Sequence, residues 1–151
     1  MKKLLLFSLI LISSFAAFSQ KRITQYKTIQ ERLNEEYCTG MFRTIEGTYF
    51  DMLNDNATIG ASAYFNVLDW LQGRVAGLQI CRTRDNDRLA FIRGSQAGIY
   101  VDEILREADF LSVLPVTDIA MIKIIKAPFA GGFNSPGGVI AIYTIRGEEE
   151  E

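Results

Sequence analysis

Asn66-Val67-Leu68-Asp69-Trp70-Leu71-Gln72-Gly73-Arg74-Val75-Ala76-Gly77-Leu78-Gln79-Ile80 reads as a short helix, a glycine stop and the start of a strand. Asn66 suits the N-cap, because its side-chain oxygen can accept from a backbone N–H left free in the first turn. Val67, Leu68, Leu71 and Val75 fall at helical spacing and build one apolar face. Gly77 stands where a chain leaving a helix favours a left-handed residue, and Leu78-Gln79-Ile80 then alternates as a strand does.

Downstream, Arg82 to Arg88 reads as a charged loop turning at Asp85-Asn86-Asp87, and Arg88 to Arg93 as the next strand. Gly94-Ser95-Gln96-Ala97-Gly98 is expected to be a flexible connection, followed by a strand over Ile99 to Val101. The adjacent carboxylates Asp102 and Glu103 are expected to be solvated turn residues, since no nucleophile, base or metal ligand accompanies them. Glu107 to Leu114 reads as a second short helix, stopped by Pro115. Thr117-Asp118 can start a helical turn, and Ala120 to Lys126 reads as a strand flanked by Pro128. The glycine-dense stretch from Ala130 to Gly138 lacks the Gly-Lys-Ser/Thr ending of a phosphate loop and is followed by a strand, so it reads as a tight inter-strand connection. Val139 to Ile145 is apolar nearly throughout, as befits a central strand buried on both faces.

Upstream, Ile23, Tyr26, Ile29, Leu33 and Tyr37 recur at three and four residues, which predicts an amphipathic helix over Arg22 to Tyr37. Packing on the domain's own core is the favoured reading of its apolar face, with a docking helix for a partner as the alternative. Met41 to Phe50 suggests a short strand or turn pair, Asn54-Asp55-Asn56 a turn, and Gly60 to Ala63 a small-residue link.

The 151 residues fit one domain with a real core. Lys2 and Lys3, the apolar run Leu4 to Ile12 and the small residues Ala17 and Ser19 make residues 1–19 a signal peptide, with Gln20 as the expected new N-terminus. The apolar run is too short for a spanning helix, so no membrane-spanning segment is expected in the mature chain. The whole sequence carries 16 Lys+Arg and 18 Asp+Glu, and loss of the two leader lysines would leave a net charge of −4. No basic block remains to favour nucleic acid. With no histidine and only two cysteines, the composition speaks against a zinc site, and no cofactor is expected. Cys38 and Cys81 can form a disulfide in an oxidising space or remain two separate buried thiols.

Five pieces of this sequence, in order, resemble the plug domain of TonB-dependent outer-membrane receptors, especially the SusC-like type. They are Leu71-Gln72-Gly73-Arg74-Val75-Ala76-Gly77-Leu78, Phe91-Ile92-Arg93-Gly94, Ile99-Tyr100-Val101-Asp102, Asp118-Ile119 with Ile122-Lys123-Ile124-Ile125-Lys126, and Gly137-Gly138-Val139-Ile140-Ala141-Ile142-Tyr143-Thr144 with Arg146-Gly147. Glu103 departs from the pattern, standing where the family usually has glycine. The sequence ends at Glu151, where such a receptor would begin its barrel, so the expectation is a plug-like module without its own barrel.

The resemblance implies an α+β fold, a small mixed β-sheet of about five strands with two or three short helices. The expected organisation is a leader at 1–19, an N-terminal helix and connecting segment at 20–65, the plug-like domain at 66–147 and an acidic tail at 148–151. The implied role is non-enzymatic: an exported, periplasmic module that binds an outer-membrane β-barrel, another envelope protein or a ligand in uptake. A structural or adaptor module of the envelope with no transport role is the alternative. Since plug loops face the barrel wall and ligand, the candidate binding residues are Arg93, Gly94, Ser95 and Gln96 at one loop, with Lys126, Gly131, Gly132, Asn134 and Gly137 at the other. Glycines that serve only the turns are the competing reading of both loops.

Overall fold

The computed structural model of the protein describes residues 28–54, 60–84, 87–128 and 135–146. Residues 120–125 and 139–143 are all buried, and they lie in the two longest strands. Near-continuous apolar runs of this kind need cover on both faces. β1 (Thr48–Asp51), β2 (Leu78–Arg82), β3 (Arg88–Ile92), β4 (Ser95–Gln96), β5 (Gly98–Val101), β6 (Ile104–Arg106), β7 (Ile119–Lys126) and β8 (Gly138–Thr144) form two sheets. One has five strands in the order β1-β7-β8-β5-β6, the other three in the order β2-β3-β4. β8 pairs parallel to β5 and antiparallel to β7, so the larger sheet is mixed. The expected α+β class with a mixed sheet is what the chain adopts.

Alternation along β7 sends Ile122 and Ile124 to one face and Met121, Lys123 and Ile125 to the other. The first face packs against α2 (Val67–Leu71) and the inner side of the three-stranded sheet, through Val67, Leu68, Trp70, Leu71, Ala90 and Ile92. The second face is covered by α1 (Ile29–Tyr37) and the turn after it, through Leu33, Tyr37, Cys38 and Phe42. The result is three layers, with the five-stranded sheet in the middle. No helix among the described residues is long and apolar enough to cross a membrane.

Several elements differ from expectation for local reasons. Residues 22–27 of the predicted first helix lie outside the described residues. Thr28 starts the described helix with a capping box: Glu31 N–H donates to the Thr28 hydroxyl, and Thr28 N–H donates to the Glu31 carboxylate. Leu33 and Tyr37 pack inward as predicted, but Ile29 in the first turn is 58% exposed. α2 ends earlier than expected. Gln72 caps it, Gly73 takes the left-handed conformation (φ 81°), and Gly77 (φ 81°) enters β2 instead of closing the helix. The segment after Glu107 is a 3-10 helix over Ala108–Ser112, not an α-helix.

The cysteines are both free. Cys38 lies buried at the C-cap of α1, and Cys81 is exposed on the smaller sheet, so the five-stranded sheet separates the layers that carry them. The disulfide alternative is thereby corrected.

Candidate functional site

The loop expected to be flexible after Arg93 is a tight hairpin. Arg93 (φ 54°) and Gly94 (φ 82°) both adopt positive φ and join β3 to β4, with Ile92 opposite Ser95. β4 is short because the chain turns again at Ala97 into β5, and Ala97 N–H donates to Ala90 O at 2.9 Å.

The start of β8 lies directly against this hairpin. Gly137 N–H donates to Gln96 O at 2.9 Å, and a Cβ at Gly137 would collide with the backbone carbonyls of Ser95 and Gln96. Close backbone approach therefore explains Gly137. Arg93, Gly94, Ser95, Gln96 and Gly137 thus form one cluster. Gly131, Gly132 and Asn134 lie outside the described residues.

Lys126, at the end of β7, joins the same cluster through the motif that opened the sequence. Its ammonium donates to Ala76 O at 2.9 Å, while Arg93 N–H donates to Gly77 O at 2.9 Å. The Arg93 guanidinium also donates to Ala127 O at 3.2 Å, beside the cis Ala127-Pro128 bond. Both cations therefore hold backbone carbonyls where α2 leads into β2 and where β7 ends. Arg74 completes the motif's geometry: its guanidinium lies 4.7 Å from the Trp70 ring centroid and donates to Trp70 O.

Beside the cluster runs an open cleft of about 660 Å3 between the two sheets. Gln96, Ser135 and Pro136 line the end nearest the hairpin, with Arg106, Glu107 and Asp109 further along. Its lining mixes both charges with apolar floor residues such as Ala90 and Ile99, and β6 flanks it as an exposed edge strand.

The Asp102–Glu103 pair lies in a turn as expected, with Asp102 exposed and Glu103 half-buried, and both carboxylates also hold neighbouring segments. Both residues have positive φ (49° and 66°) in the β5–β6 turn. Asp102 accepts from Thr144 N–H at 3.0 Å and from its hydroxyl at 2.8 Å. Glu103 accepts from Gly40 N–H at 2.9 Å, Met41 N–H at 3.0 Å and the Tyr143 hydroxyl at 3.3 Å. A glutamate at the position where the family pattern has glycine thus ties the turn to the segment after α1. Among the described residues, no three His, Cys, Asp or Glu side chains converge as a metal site would require.

A further polar network was not anticipated. Lys123 is fully buried, and its ammonium donates to Asn34 Oδ1 at 2.8 Å and to Phe42 O while lying 4.9 Å from the Tyr49 ring centroid. Asn34 Oδ1 also accepts from the Tyr49 hydroxyl at 3.0 Å. Burial holds the lysine below its ordinary range, and it pushes the Cys38 thiol and the Tyr143 phenol above theirs. The available signal was a lysine inside Ala-Met-Ile-Lys-Ile-Ile, since a cation in an all-apolar strand needs a buried acceptor set.

No family model matches the sequence, and no curated protein is similar to it. Similar folds occur among solved structures. The RagAB peptide importer in its closed-closed state aligns with a TM-score of 0.54 at 22% identity over 72% of this chain and 13% of that one. Its open-open state gives 0.55 at 22% identity, covering 70% and 13%. The ferric yersiniabactin uptake receptor FyuA from Yersinia pestis gives 0.51 at 18% identity, covering 72% and 18%. The chain therefore spans less than a fifth of the length of these structures. These neighbours are a peptide importer and an uptake receptor, and the likeness is one of fold, consistent with a plug-like domain.

Proposed function

We propose that the chain is a plug-like binding module of the SusC-like type, exported to the periplasm and acting without catalysis in outer-membrane uptake. The observation that carries this reading is the packing of Gly137 against Ser95 and Gln96, with Arg93 and Lys126 anchored beside them. Buried Gly137 thereby seats the end of the second connection under the hairpin, whose Arg93, Gly94 and Gln96 stay exposed at one edge of the fold. Exposed Gly94 lets partner groups approach the hairpin backbone, and the two cations can add charge-assisted contacts to carboxylates. The partner class that suits such a surface on this fold is the wall of an outer-membrane β-barrel. Export rests on the leader pattern of residues 1–19, and mass spectrometry of envelope fractions should find an N-terminus within a residue or two of Gln20.

The test places a photo-crosslinking amino acid at Gln96, which is exposed, and separately at Gln30, an exposed position on α1. In cells carrying the full chain, position 96 should crosslink to an outer-membrane β-barrel and position 30 should not. Crosslinks from position 96 only to envelope proteins that are not barrels would favour an adaptor role. Equal yields at both positions would remove the site assignment.

A further inference from the structure

The two faces of the five-stranded sheet are held by different chemistry, and the contrast singles out the segment from Thr28 to Gly47. Three sheet-side residues reach into this segment. Lys123 donates to Asn34 Oδ1 and Phe42 O, and Glu103 accepts from Gly40 and Met41 N–H. Arg146 donates to Tyr37 O at 3.0 Å and to Glu36 O at 3.4 Å. Part of the pattern suits the end of a helix: Arg146 meets its last carbonyls, and a carboxylate meets the N–H groups of the turn that follows, while Lys123 holds an α1 side chain and the carbonyl of Phe42 in that turn. The segment adds an apolar contribution from Leu33, Tyr37, Cys38 and Phe42, with the Phe42 and Tyr100 rings edge-to-face at 5.0 Å.

We propose that residues 28–47 form a releasable strap, a cooperative unit that opens from the sheet while α2, β7 and β8 stay folded. Water can replace the polar anchors when the strap lifts, and the Lys123 ammonium then regains its hydration. Nothing comparable offsets exposure of the opposite face, where Trp70, Leu68, Ile122 and Ile142 meet in an apolar core. α1 has nine residues, too few to hold helix once detached, so opening and local unfolding coincide. β1 remains behind because it is hydrogen-bonded to β7 along its whole length. The open form bares an apolar sheet face carrying Lys123, with Glu103 in the β5–β6 turn beside it, together with the thiol of Cys38.

The two cysteines provide the readout. Cys81 is exposed and serves as an internal standard, whereas Cys38 can react only when the strap opens or the whole domain unfolds. Trp70 is the single tryptophan and sits in the opposite core, so its fluorescence reports the rest of the domain. Thiol labelling with Ellman's reagent is followed across a urea series below the Trp70 transition. The proposal expects Cys38 to label by a route with a shallower urea dependence than the Trp70 transition, at least tenfold faster in dilute urea than global unfolding allows. Arg146→Ala, a change at an exposed residue, should raise that rate at least threefold and leave the Cys81 rate in place. Cys38 labelling that tracks the Trp70 transition at every urea concentration would overturn the strap. So would an Arg146→Ala rate equal to that of the parent.

Discussion

The two sides of the central sheet bury comparable kinds of strand and solve the problem of cover differently. Toward α2 the cover is dry: Trp70 meets Phe50 edge-to-face at 5.5 Å, and Leu68, Leu71 and Val67 fill the remainder. Toward α1 the cover includes a fully buried lysine, a buried thiol and two hydrogen-bonded tyrosines. Apolar burial is non-directional and favours one cooperative core, whereas buried polar groups require particular partners in particular places. Side one thus sets global stability, and side two sets where a particular segment docks.

The largest effect should come from breaking the dry side. Trp70→Ala is expected to cost about 3–5 kcal/mol in urea unfolding, because it opens a cavity among side chains that cannot fully collapse. An effect below about 1 kcal/mol would place the main core elsewhere. Next comes the loop cluster. Gly137→Ala forces a Cβ into the Ser95 and Gln96 carbonyls, and overpacking against backbone typically costs about 1–3 kcal/mol. Wild-type stability in that variant would show that the two connections do not touch.

Alkaline pH sharpens the comparison from the polar side. Burial raises the Cys38 thiol above its ordinary 9.0 and the Tyr49 phenol from 10.0 to about 12, and it also raises Tyr143. A folded value above the unfolded one gives stability that is complete below the unfolded value and lost as pH climbs toward the folded one. Lys123 works in the opposite sense: its folded value is depressed, so its penalty fades as pH rises toward 10.5. With the Tyr37 phenol, which burial also raises, four groups against one predict a urea midpoint that falls above pH 9, where the thiol leads. Cys38→Ala should delay the onset of that fall toward pH 10, where the tyrosines begin. A midpoint that rises through this range in the parent would contradict the assignment. The smallest effect is expected at the surface. Arg82, with its side chain 58% exposed and 3.5 Å from Asp69, should lose under about 0.5 kcal/mol on replacement by alanine. Arg88, bound to the same carboxylate at 2.8 Å and 14% exposed, is the pair that counts.

Strand order along the chain was legible because β7 and β8 are written in runs that only double burial explains, and because Asn66 announces its helix by capping. The short hairpin at Arg93-Gly94 was not legible as such. A non-glycine residue at positive φ leaves little local trace, and Arg93 is held there by tertiary bonds to Gly77 and Ala127. The capping box at Thr28 was present in the sequence as Thr-Ile-Gln-Glu. At the candidate site, Arg93, Gly94, Ser95, Gln96, Lys126 and Gly137 could be nominated from glycine placement and family resemblance. Their mutual contact depends on the parallel pairing of β5 with β8, a long-range register that local pattern does not encode. The fate of Glu103 was hidden for the same reason, since its partners at Gly40 and Met41 lie more than 60 residues away.

Native-state hydrogen exchange, resolved by residue in dilute denaturant, tests the difference between the two sides most directly. Amides of α1 and the turn through Phe42 should exchange through an opening with shallow denaturant dependence. Amides of β7, β8 and α2 should exchange only with the steep dependence of global unfolding. A single steep dependence shared by α1, α2 and both central strands would contradict the account, because the two covers would then be one cooperative core.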